Sequence, residues 1–239
     1  MTLNPILTDP KDFYSTVRLI TVLCCGLLAV RGAVPCRAQA RPAQASQDDT
    51  QSWNEVQITV PLKKWVDLVV GGQLRLGRNV TDFVDERGGM ALTFKVHKYL
   101  TLQPGYLHIA TQPTPDRKAF ENRLGFAATV QFPLGKFNVN DRNLFERRFR
   151  SPLNSTRYRN RLQVSRPVKL NGSDITLFAS DEVFYDWSVD DWVRNRFSVG
   201  VGKRFSKNLT TDFYYMRQND GRSRPGDLHV FGTVFRVRL

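Results

Sequence analysis

The feature that most constrains the fold is a two-residue alternation in the segment Asp141–Val168. The segment reads DRNLFERRFR, a short break SPLNST, and then RYRNRLQVSRPV. In the second arm arginines and other polar residues occupy one parity, while Tyr158, Leu162 and Val164 fall on the other. Period two is typical of a strand with one polar and one apolar face, whereas on a helix these arginines would scatter around the axis. The segment therefore predicts a β-hairpin with a charged face.

The same alternation recurs along the chain and predicts about eleven strands, each near the nine to eleven residues that a tilted membrane strand needs. No helical segment is predicted beyond the N-terminal apolar run. Besides the two arms of the hairpin, the strand segments are Trp53–Leu62, Trp65–Leu76, Met90–Val96, Leu100–Thr111, Phe120–Phe132, Ile175–Tyr185, Val193–Phe205, Leu209–Gln218 and Leu228–Leu239.

The predicted connections alternate in length, which is typical of outer-membrane barrels with short turns at one rim and longer loops at the other. The tryptophans fall at strand ends, where amphipathic rings form girdles at the two membrane interfaces. The short turns are Leu62–Lys64, His97–Tyr99, Pro133–Lys136 and Ser206–Asn208. The longer ones are Gly77–Asp85, Thr111–Ala119, Arg150–Thr156, Asp186–Trp192 and Asn219–Gly226.

The first forty residues predict a removable export signal. Lys11 and Arg18 lead into the apolar run Leu19–Val30, which is too short to span roughly 30 Å of hydrocarbon as a helix. Ala38 and Ala40 form a small-x-small cleavage site, so we expect cleavage after Ala40. This divides the chain into a signal peptide (1–40), a flexible lead-in (41–52) and a barrel (53–239).

The amino-acid composition limits the classes of cofactor and partner that are expected. Cys24, Cys25 and Cys36 all lie in the signal, so neither a disulfide scaffold nor a cysteine zinc site is expected, and we predict no cofactor or metal. The 35 basic against 22 acidic residues give a net charge of +13, which favours anionic lipopolysaccharide and small anionic solutes. Nucleic acid is excluded as a partner, because the basic and aromatic parities oppose each other and export removes the chain from the cytoplasm.

The last segment, HVFGTVFRVRL, ends on its apolar parity. It resembles the C-terminal signal by which outer-membrane barrels are passed to the barrel-assembly machinery. That resemblance rests on Phe231, Phe235, Val237 and Leu239. A final Phe or Trp is the usual ending of such a signal, and Leu239 departs from it.

Several strand motifs together resemble a widespread, uncharacterised family of bacterial outer-membrane proteins, known only as a domain of unknown function. The resemblance covers Trp53–Leu239 and implies an outer-membrane β-barrel without implying a substrate. Members often carry a further arginine where this chain has Leu144. The motifs are DRNLFERRF, RYRNRLQVSRP, ASDEVFYDW, VRNRFSVGVGKRFS and the terminal strand.

We therefore predict an all-β fold: a closed antiparallel up-and-down transmembrane β-barrel in the outer membrane of a Gram-negative bacterium. Bacterial barrels have even strand numbers, so twelve strands are expected, or alternatively ten. The apolar parity would face lipid and the arginines the lumen. A soluble periplasmic ligand-binding barrel, apolar inside and charged outside, would show the same alternation and remains an alternative.

The predicted lumen has two interpretations. It is either a ladder of ion pairs, with Glu121 and Asp212 as further counter-charges, or a narrow porin-like channel that selects anions. At ten to twelve strands, long side chains would nearly close such a channel. The residues predicted to line the lumen are Arg142, Glu146, Arg148, Arg157, Arg159, Arg161, Glu182, Arg194, Arg196 and Arg204.

Catalysis has little support in the local sequence. A barrel hydrolase needs a serine within reach of a histidine that is oriented by an acid. The histidines of the barrel segment, His97, His108 and His229, show no such local arrangement. We therefore predict that the chain is not an enzyme, with a lipid-modifying outer-membrane enzyme as the second alternative.

Overall fold

The computed structural model describes residues 48–114, 116–170, 172–223 and 225–239. None of these residues belongs to a helix long and apolar enough to cross a membrane. The predicted signal peptide, with Ala38 and Ala40, lies outside the described residues and stays a prediction. The strands are β1 (Asp49–Lys63), β2 (Val66–Gly77), β3 (Asp82–His97), β4 (Leu100–Thr114), β5 (Arg117–Leu134), β6 (Phe137–Arg150), β7 (Ser155–Leu170), β8 (Ser173–Asp186), β9 (Asp191–Arg204), β10 (Leu209–Asp220) and β11 (Leu228–Arg238).

The eleven strands form one closed barrel in which each strand pairs antiparallel with the next along the chain. The barrel closes where β1 pairs with β11 in parallel, from Asp49 opposite Leu228 to Thr59 opposite Arg238. The prediction of twelve or ten strands is therefore wrong. It relied on the even number usual in bacteria, but a parallel ladder also satisfies the backbone groups of both edge strands, so an odd number closes as well.

The odd strand number places the first residue of β1 and the last residue of β11 at opposite ends of the barrel. We call one end the short-turn mouth; its connections are residues 64–65, 98–99, 135–136, 171–172 and 205–208. The other end is the long-loop mouth, with connections 78–81, 115–116, 151–154, 187–190 and 221–227. The contrast in length is smaller than predicted, because β3, β4 and β5 extend into the expected loops Gly77–Asp85 and Thr111–Ala119.

Strand β1 begins at Asp49, inside the segment predicted as a flexible lead-in. The Asp49 carboxylate accepts hydrogen bonds from the backbone N–H groups of Arg78 at 3.1 Å and Asn79 at 2.8 Å. Arg78 and Asn79 have φ angles of 52° and 59°, which point these N–H groups towards the end of β1. The sequence before Trp53 shows no alternation, so this start depends on contacts that only the fold creates.

Pro104 lies within β4, where it has no N–H to give to a neighbouring strand. Between β3 and β4 the paired positions pass from Ala91–Gly105 to Phe94–Leu102, so the ladder is interrupted beside the proline. On the other side β5 pairs without interruption from Leu100 to Thr111, with Phe126 opposite Pro104. The proline therefore weakens one ladder and leaves the other intact.

The two parities largely separate between the inside and the outside of the barrel. Most charged residues of β6–β9 point inward and are buried or half-buried, whereas Asp141, Arg147 and Asp181 lie on the outer parity. The outer surface carries large apolar side chains, which is the reverse of the soluble periplasmic barrel. Exposed examples from around the barrel are Val56, Leu74, Met90, Phe126, Phe145, Leu162, Leu177, Phe197, Phe213 and Phe231.

A polar cluster on β6 and β7 is an example of the polar groups that interrupt this outer surface. The Asn160 amide donates to Asp141 Oδ1 at 2.6 Å, and the Tyr158 hydroxyl donates to Asn143 Oδ1 at 2.5 Å. Mutual hydrogen bonds lower the cost of holding polar groups in apolar surroundings. The cluster is therefore compatible with an otherwise apolar outer face.

The parallel closure predicts a specific cross-link between the first and last strands. Asn54 and Thr233 are directly opposite each other, and directly opposed residues lie within the Cα separation of about 5–6 Å that a disulfide needs. In a chain with Cys24, Cys25 and Cys36 replaced by Ser, we expect Asn54→Cys with Thr233→Cys to form a disulfide on oxidation. The measurement is a faster-migrating band on a non-reducing denaturing gel.

The matched control pairs Asn54→Cys with Val237→Cys, because Val237 is opposite Ile58 and lies four positions further along β11. At about 3.3 Å per residue this separation is too large for a disulfide. A cross-link in the control and none in the test pair would contradict the parallel register.

Candidate functional site

The candidate site is the barrel lumen, where the structure places the residues that the sequence predicts to line it. Their burial depends on height in the barrel. Glu146, Arg148 and Arg157, near the long-loop mouth, are buried, whereas Arg204, at the short-turn mouth, is exposed. The long-loop half of the lumen is therefore densely filled, and the short-turn half is more open.

Glu146 is the centre of the ion pairs in the filled half. Its carboxylate accepts from Arg157 Nη2 at 2.6 Å and from Arg159 Nη1 at 3.1 Å, with Arg123 Nη1 at 3.7 Å. These arginines come from β5 and β7, on either side of β6. One carboxylate therefore connects three strands and neutralises part of the charge of three guanidiniums.

Glu182 on β8 extends the network around the wall. Its Oε1 accepts from Arg159 Nη2 at 2.7 Å, and its Oε2 lies 3.7 Å from Arg196 Nη1. Because Arg159 also contacts Glu146, the two carboxylates share one arginine. We call the connected ion pairs of β5–β9 the lumen lattice.

A second branch of the lumen lattice lies at the long-loop mouth. Arg148 donates to both oxygens of Glu121, at 2.6 and 3.0 Å, and to Asp186 at 3.3 Å. Arg123 donates to Glu121 at 2.6 Å and so joins this branch to Glu146. Glu121 thus occupies the counter-charge position that the sequence suggests for it.

Two further acidic partners were not found from the sequence. Asp85 accepts from Arg87 at 2.5 Å and lies 3.7 Å from Arg75. Asp220 accepts from Arg194 Nε at 2.6 Å. Both aspartates fall in segments predicted as loops, where the alternation is lost. The sequence pattern therefore could not assign their side chains to the lumen.

The lumen lattice surrounds one buried aromatic ring. Phe184 is 1% exposed, and the guanidiniums of Arg159 and Arg196 lie 4.7 and 4.8 Å from its centroid. Arg157 and Arg194 lie at 5.1 and 5.5 Å. The negative face of an aromatic ring attracts cations in such positions. Sequence reasoning missed this residue, although it shares the parity of Glu182, because the apolar residues were assigned to the lipid side.

Trp53 is also inside the barrel, contrary to its predicted place in an interface girdle. It is 3% exposed, its indole N–H donates to Gln51 at 2.8 Å, and the Arg75 guanidinium lies 3.3 Å from its ring centroid. It packs with Met216, Leu228 and Val230. The other tryptophans, Trp65, Trp187 and Trp192, are about half exposed, as expected for girdle positions.

Two cavities lie in the lumen. The central cavity has a volume of about 520 Å³, and its lining includes eight arginines and four carboxylates. The outer cavity, of about 720 Å³, is lined at the short-turn mouth by Lys169, Asp174 and Arg204. Both cavities are lined by Arg161, Gln163, Phe178, Asp212 and Arg236. The lining of the central cavity therefore has four more arginines than carboxylates, and this cavity adjoins the one at the short-turn mouth.

The histidines of the barrel lie away from these cavities. His108 Nδ1 is 2.7 Å from Asn122 Oδ1 on the outer face. His229 contacts the Tyr215 hydroxyl and the Arg217 guanidinium, both at 2.6 Å. His97 accepts from the Tyr99 backbone N–H in a turn. Within the described ranges, no group of three or more His, Cys, Asp or Glu residues fits a metal ion.

A family model covers most of the barrel. The model described as "Protein of unknown function (DUF2490)" matches residues 50–229. The chain belongs to this family. The resemblance found in the strand motifs is thereby confirmed. No curated protein matches the sequence significantly.

Two solved outer-membrane β-barrels resemble the fold. LpxR from Salmonella typhimurium is 9% identical, with a TM-score of 0.46 over 72% of this chain and 83% of LpxR. The outer-membrane expressed OmpT of Vibrio cholerae is 11% identical, with a TM-score of 0.35 over 64% of this chain and 54% of OmpT. No activity is transferred from either protein to this chain.

The prediction that the chain is not an enzyme does not hold. The prediction relied on finding no local serine–histidine arrangement. In a barrel, catalytic groups can come from different strands, so the absence of a local motif does not exclude catalysis.

The C-terminal residues predicted as an assembly signal lie on β11 and just after it. Phe231, Phe235 and Leu239 are exposed on the outer face. The Leu239 N–H donates to the Thr59 carbonyl at 3.0 Å, so the chain end is held against β1. A role in assembly stays a prediction.

The lumen lattice predicts that Glu146 is important for stability. We expect Glu146→Gln to lower the free energy of unfolding by about 3 kcal/mol, because buried arginines would lose their counter-charge. The measurement is chemical denaturation in detergent micelles. In the control, Glu86→Gln, the same substitution is made at an exposed outer position, where a change within about 0.5 kcal/mol is expected. Equal effects of the two substitutions would contradict the importance of the lattice.

Proposed function

We propose that this protein is an integral barrel of the bacterial outer membrane whose lumen admits small anionic solutes from the short-turn mouth. The observation that carries the proposal is the asymmetry of the lumen. Ion pairs and Phe184 fill the long-loop half, and two arginine-lined cavities occupy the remainder. The protein is therefore a basic vestibule rather than an open diffusion pore.

The outer surface supports insertion in a membrane. Large apolar side chains are exposed on every strand, for example Leu74, Phe126, Phe197 and Phe231. An exposed apolar surface of this extent is unfavourable in water and favourable in lipid. The strands contain 11 to 18 residues, which is enough for a tilted strand to cross the hydrocarbon.

The turns support an orientation. Outer-membrane barrels have short turns on the periplasmic side and longer loops outside the cell. The short-turn mouth would accordingly face the periplasm, and the lumen lattice would lie towards the cell surface. Arg150 and Arg222, at the long-loop mouth, would then meet anionic lipopolysaccharide.

The charge of the vestibule supports anions as solutes. Basic rings select anions in membrane pores, and the central cavity has eight arginines against four carboxylates. Eleven strands also lie between the roughly eight that leave a filled interior and the sixteen or more that leave an aqueous channel. Partial closure by long side chains is the expected result for this size.

Planar-bilayer recordings test this function. We expect the native protein to give little steady conductance, and Phe184→Ala to raise the conductance at least about threefold with a preference for anions, because it empties the centre of the lumen lattice. The control is Phe197→Ala, which removes an exposed outer ring on the adjacent strand and should leave the conductance unchanged.

Both variants are compared in the folded state, which an unboiled gel shift in detergent verifies. A large steady conductance of the native protein, or a preference for cations in Phe184→Ala, would contradict the closed basic vestibule. A native protein that stays soluble without detergent would contradict membrane insertion.

A further inference from the structure

Two arginines in the lumen face each other on adjacent strands. Arg142 on β6 is directly opposite Arg161 on β7. Directly opposed residues on one face have Cβ atoms about 5 Å apart, and like charges in such positions are destabilising. Among the described residues neither arginine makes an ion pair, although their neighbours in the lumen lattice do. The barrel therefore retains an unfavourable contact at this point.

The nearby carboxylates are occupied by other partners. Glu182 is opposite Arg161 in the register, but its oxygens are directed to Arg159 and Arg196. Glu146 contacts Arg123, Arg157 and Arg159. These acidic residues each contact several other guanidiniums, and neither of them makes an ion pair with Arg142 or Arg161.

The acids on the opposite wall are also occupied. Asp212 forms an ion pair with Arg236. Glu55 accepts a hydrogen bond from the Gln73 amide at 3.2 Å. Both residues line the central cavity and are already counted among its four carboxylates. The excess of positive charge in the cavity remains after they are included.

One unsatisfied donor lies at the same place. Arg161 Nε is buried and has no hydrogen-bond partner in the described chain. Buried polar atoms are nearly always hydrogen-bonded, so each exception needs an explanation. A guanidinium N–H without an acceptor, beside a second guanidinium without an ion pair, is suited to the negatively charged oxygen atoms of an anion.

The position of the pair makes it accessible. Arg161 lines both cavities, and Arg142 lines the central one. Gln163 and Arg236 also line both cavities and provide further donors near the junction. A solute that enters at the short-turn mouth would pass Lys169 and Arg204 before it reaches Arg161.

From these observations we propose that Arg142 and Arg161 form a binding site for a small oxyanion, either free phosphate or the carboxylates of a small organic acid. Guanidinium groups bind both through paired N–H donors. The bound oxyanion places negative charge between the two guanidinium groups. This inference rests on the proposed function only in that the solute enters through the short-turn mouth.

The test is thermal unfolding of the full barrel in detergent, with rising phosphate or succinate at constant ionic strength set by sodium chloride. A ligand that binds only the folded state raises its unfolding temperature. We expect phosphate or succinate to raise the midpoint of the native protein, and Arg142→Gln with Arg161→Gln to weaken the apparent affinity at least about tenfold. The more effective of the two probes identifies the class of oxyanion.

A second expected result separates a binding site from a structural role. Without added oxyanion, the Arg142→Gln and Arg161→Gln double variant should unfold at the same temperature as the native protein or higher, because it removes a repulsion. The matched control is Arg117→Gln with Lys118→Gln, which removes the same charge from exposed positions on β5. It should keep the response of the native protein to the oxyanions.

Two outcomes would contradict the oxyanion site. The first is that phosphate and succinate shift the unfolding midpoint equally in the native protein and in the double variant. The second is that, in the absence of both oxyanions, the double variant is less stable than the native protein. These outcomes are independent of the bilayer recordings. If the native conductance is low and neither oxyanion raises the unfolding midpoint, the oxyanion site is contradicted and the closed vestibule is still supported. If an oxyanion binds but the native conductance is large, the closed vestibule is contradicted and the oxyanion site is still supported.

Discussion

The structure depends on the need of buried guanidinium groups for negative charge. A closed barrel with an arginine-rich inner face holds many positive charges in a space with little water, where an unpaired charge is costly. Glu146, Glu182 and Glu121 meet this need by each contacting more than one arginine. Sharing links adjacent strands across the lumen, so the same interactions that neutralise the arginines also fill one half of the barrel.

Shared carboxylates also explain why the lumen is uneven. In the long-loop half, aspartates at strand ends such as Asp85 and Asp220 add to the glutamates, and the arginines that they pair with are half-buried or buried. Towards the short-turn mouth carboxylates become fewer, cavities open, and Arg142 and Arg161 lack ionic partners among the described residues. The division between a filled half and a basic vestibule thus follows from the positions of the acidic side chains along the barrel axis.

Much of the wall could be predicted from particular residues. The alternation in Asp141–Val168 predicts β6 and β7, and the register that pairs Arg142 with Arg161 follows once the hairpin forms. The positions of Phe184, Trp53 and Asp85 inside the barrel were not predicted, for physical reasons. An apolar ring on a polar parity is favourable only where guanidiniums surround it, and a strand end shows no alternation. The strand number depends on how β1 meets β11, a contact between the two ends of the barrel sequence.

The sequence by itself determined that the chain has two chemically different faces, because a period of two assigns each side chain to one side of a strand. It did not determine which face is inside, since an inverted barrel has the same pattern. Only the tertiary structure decided this: the closed wall turns the arginines inward, where shared carboxylates can reach them from neighbouring strands. It also decided which arginines remain without an ion pair. Ion pairing depends on the register between neighbouring strands and on the height of each side chain in the barrel, and neither can be read from one strand alone.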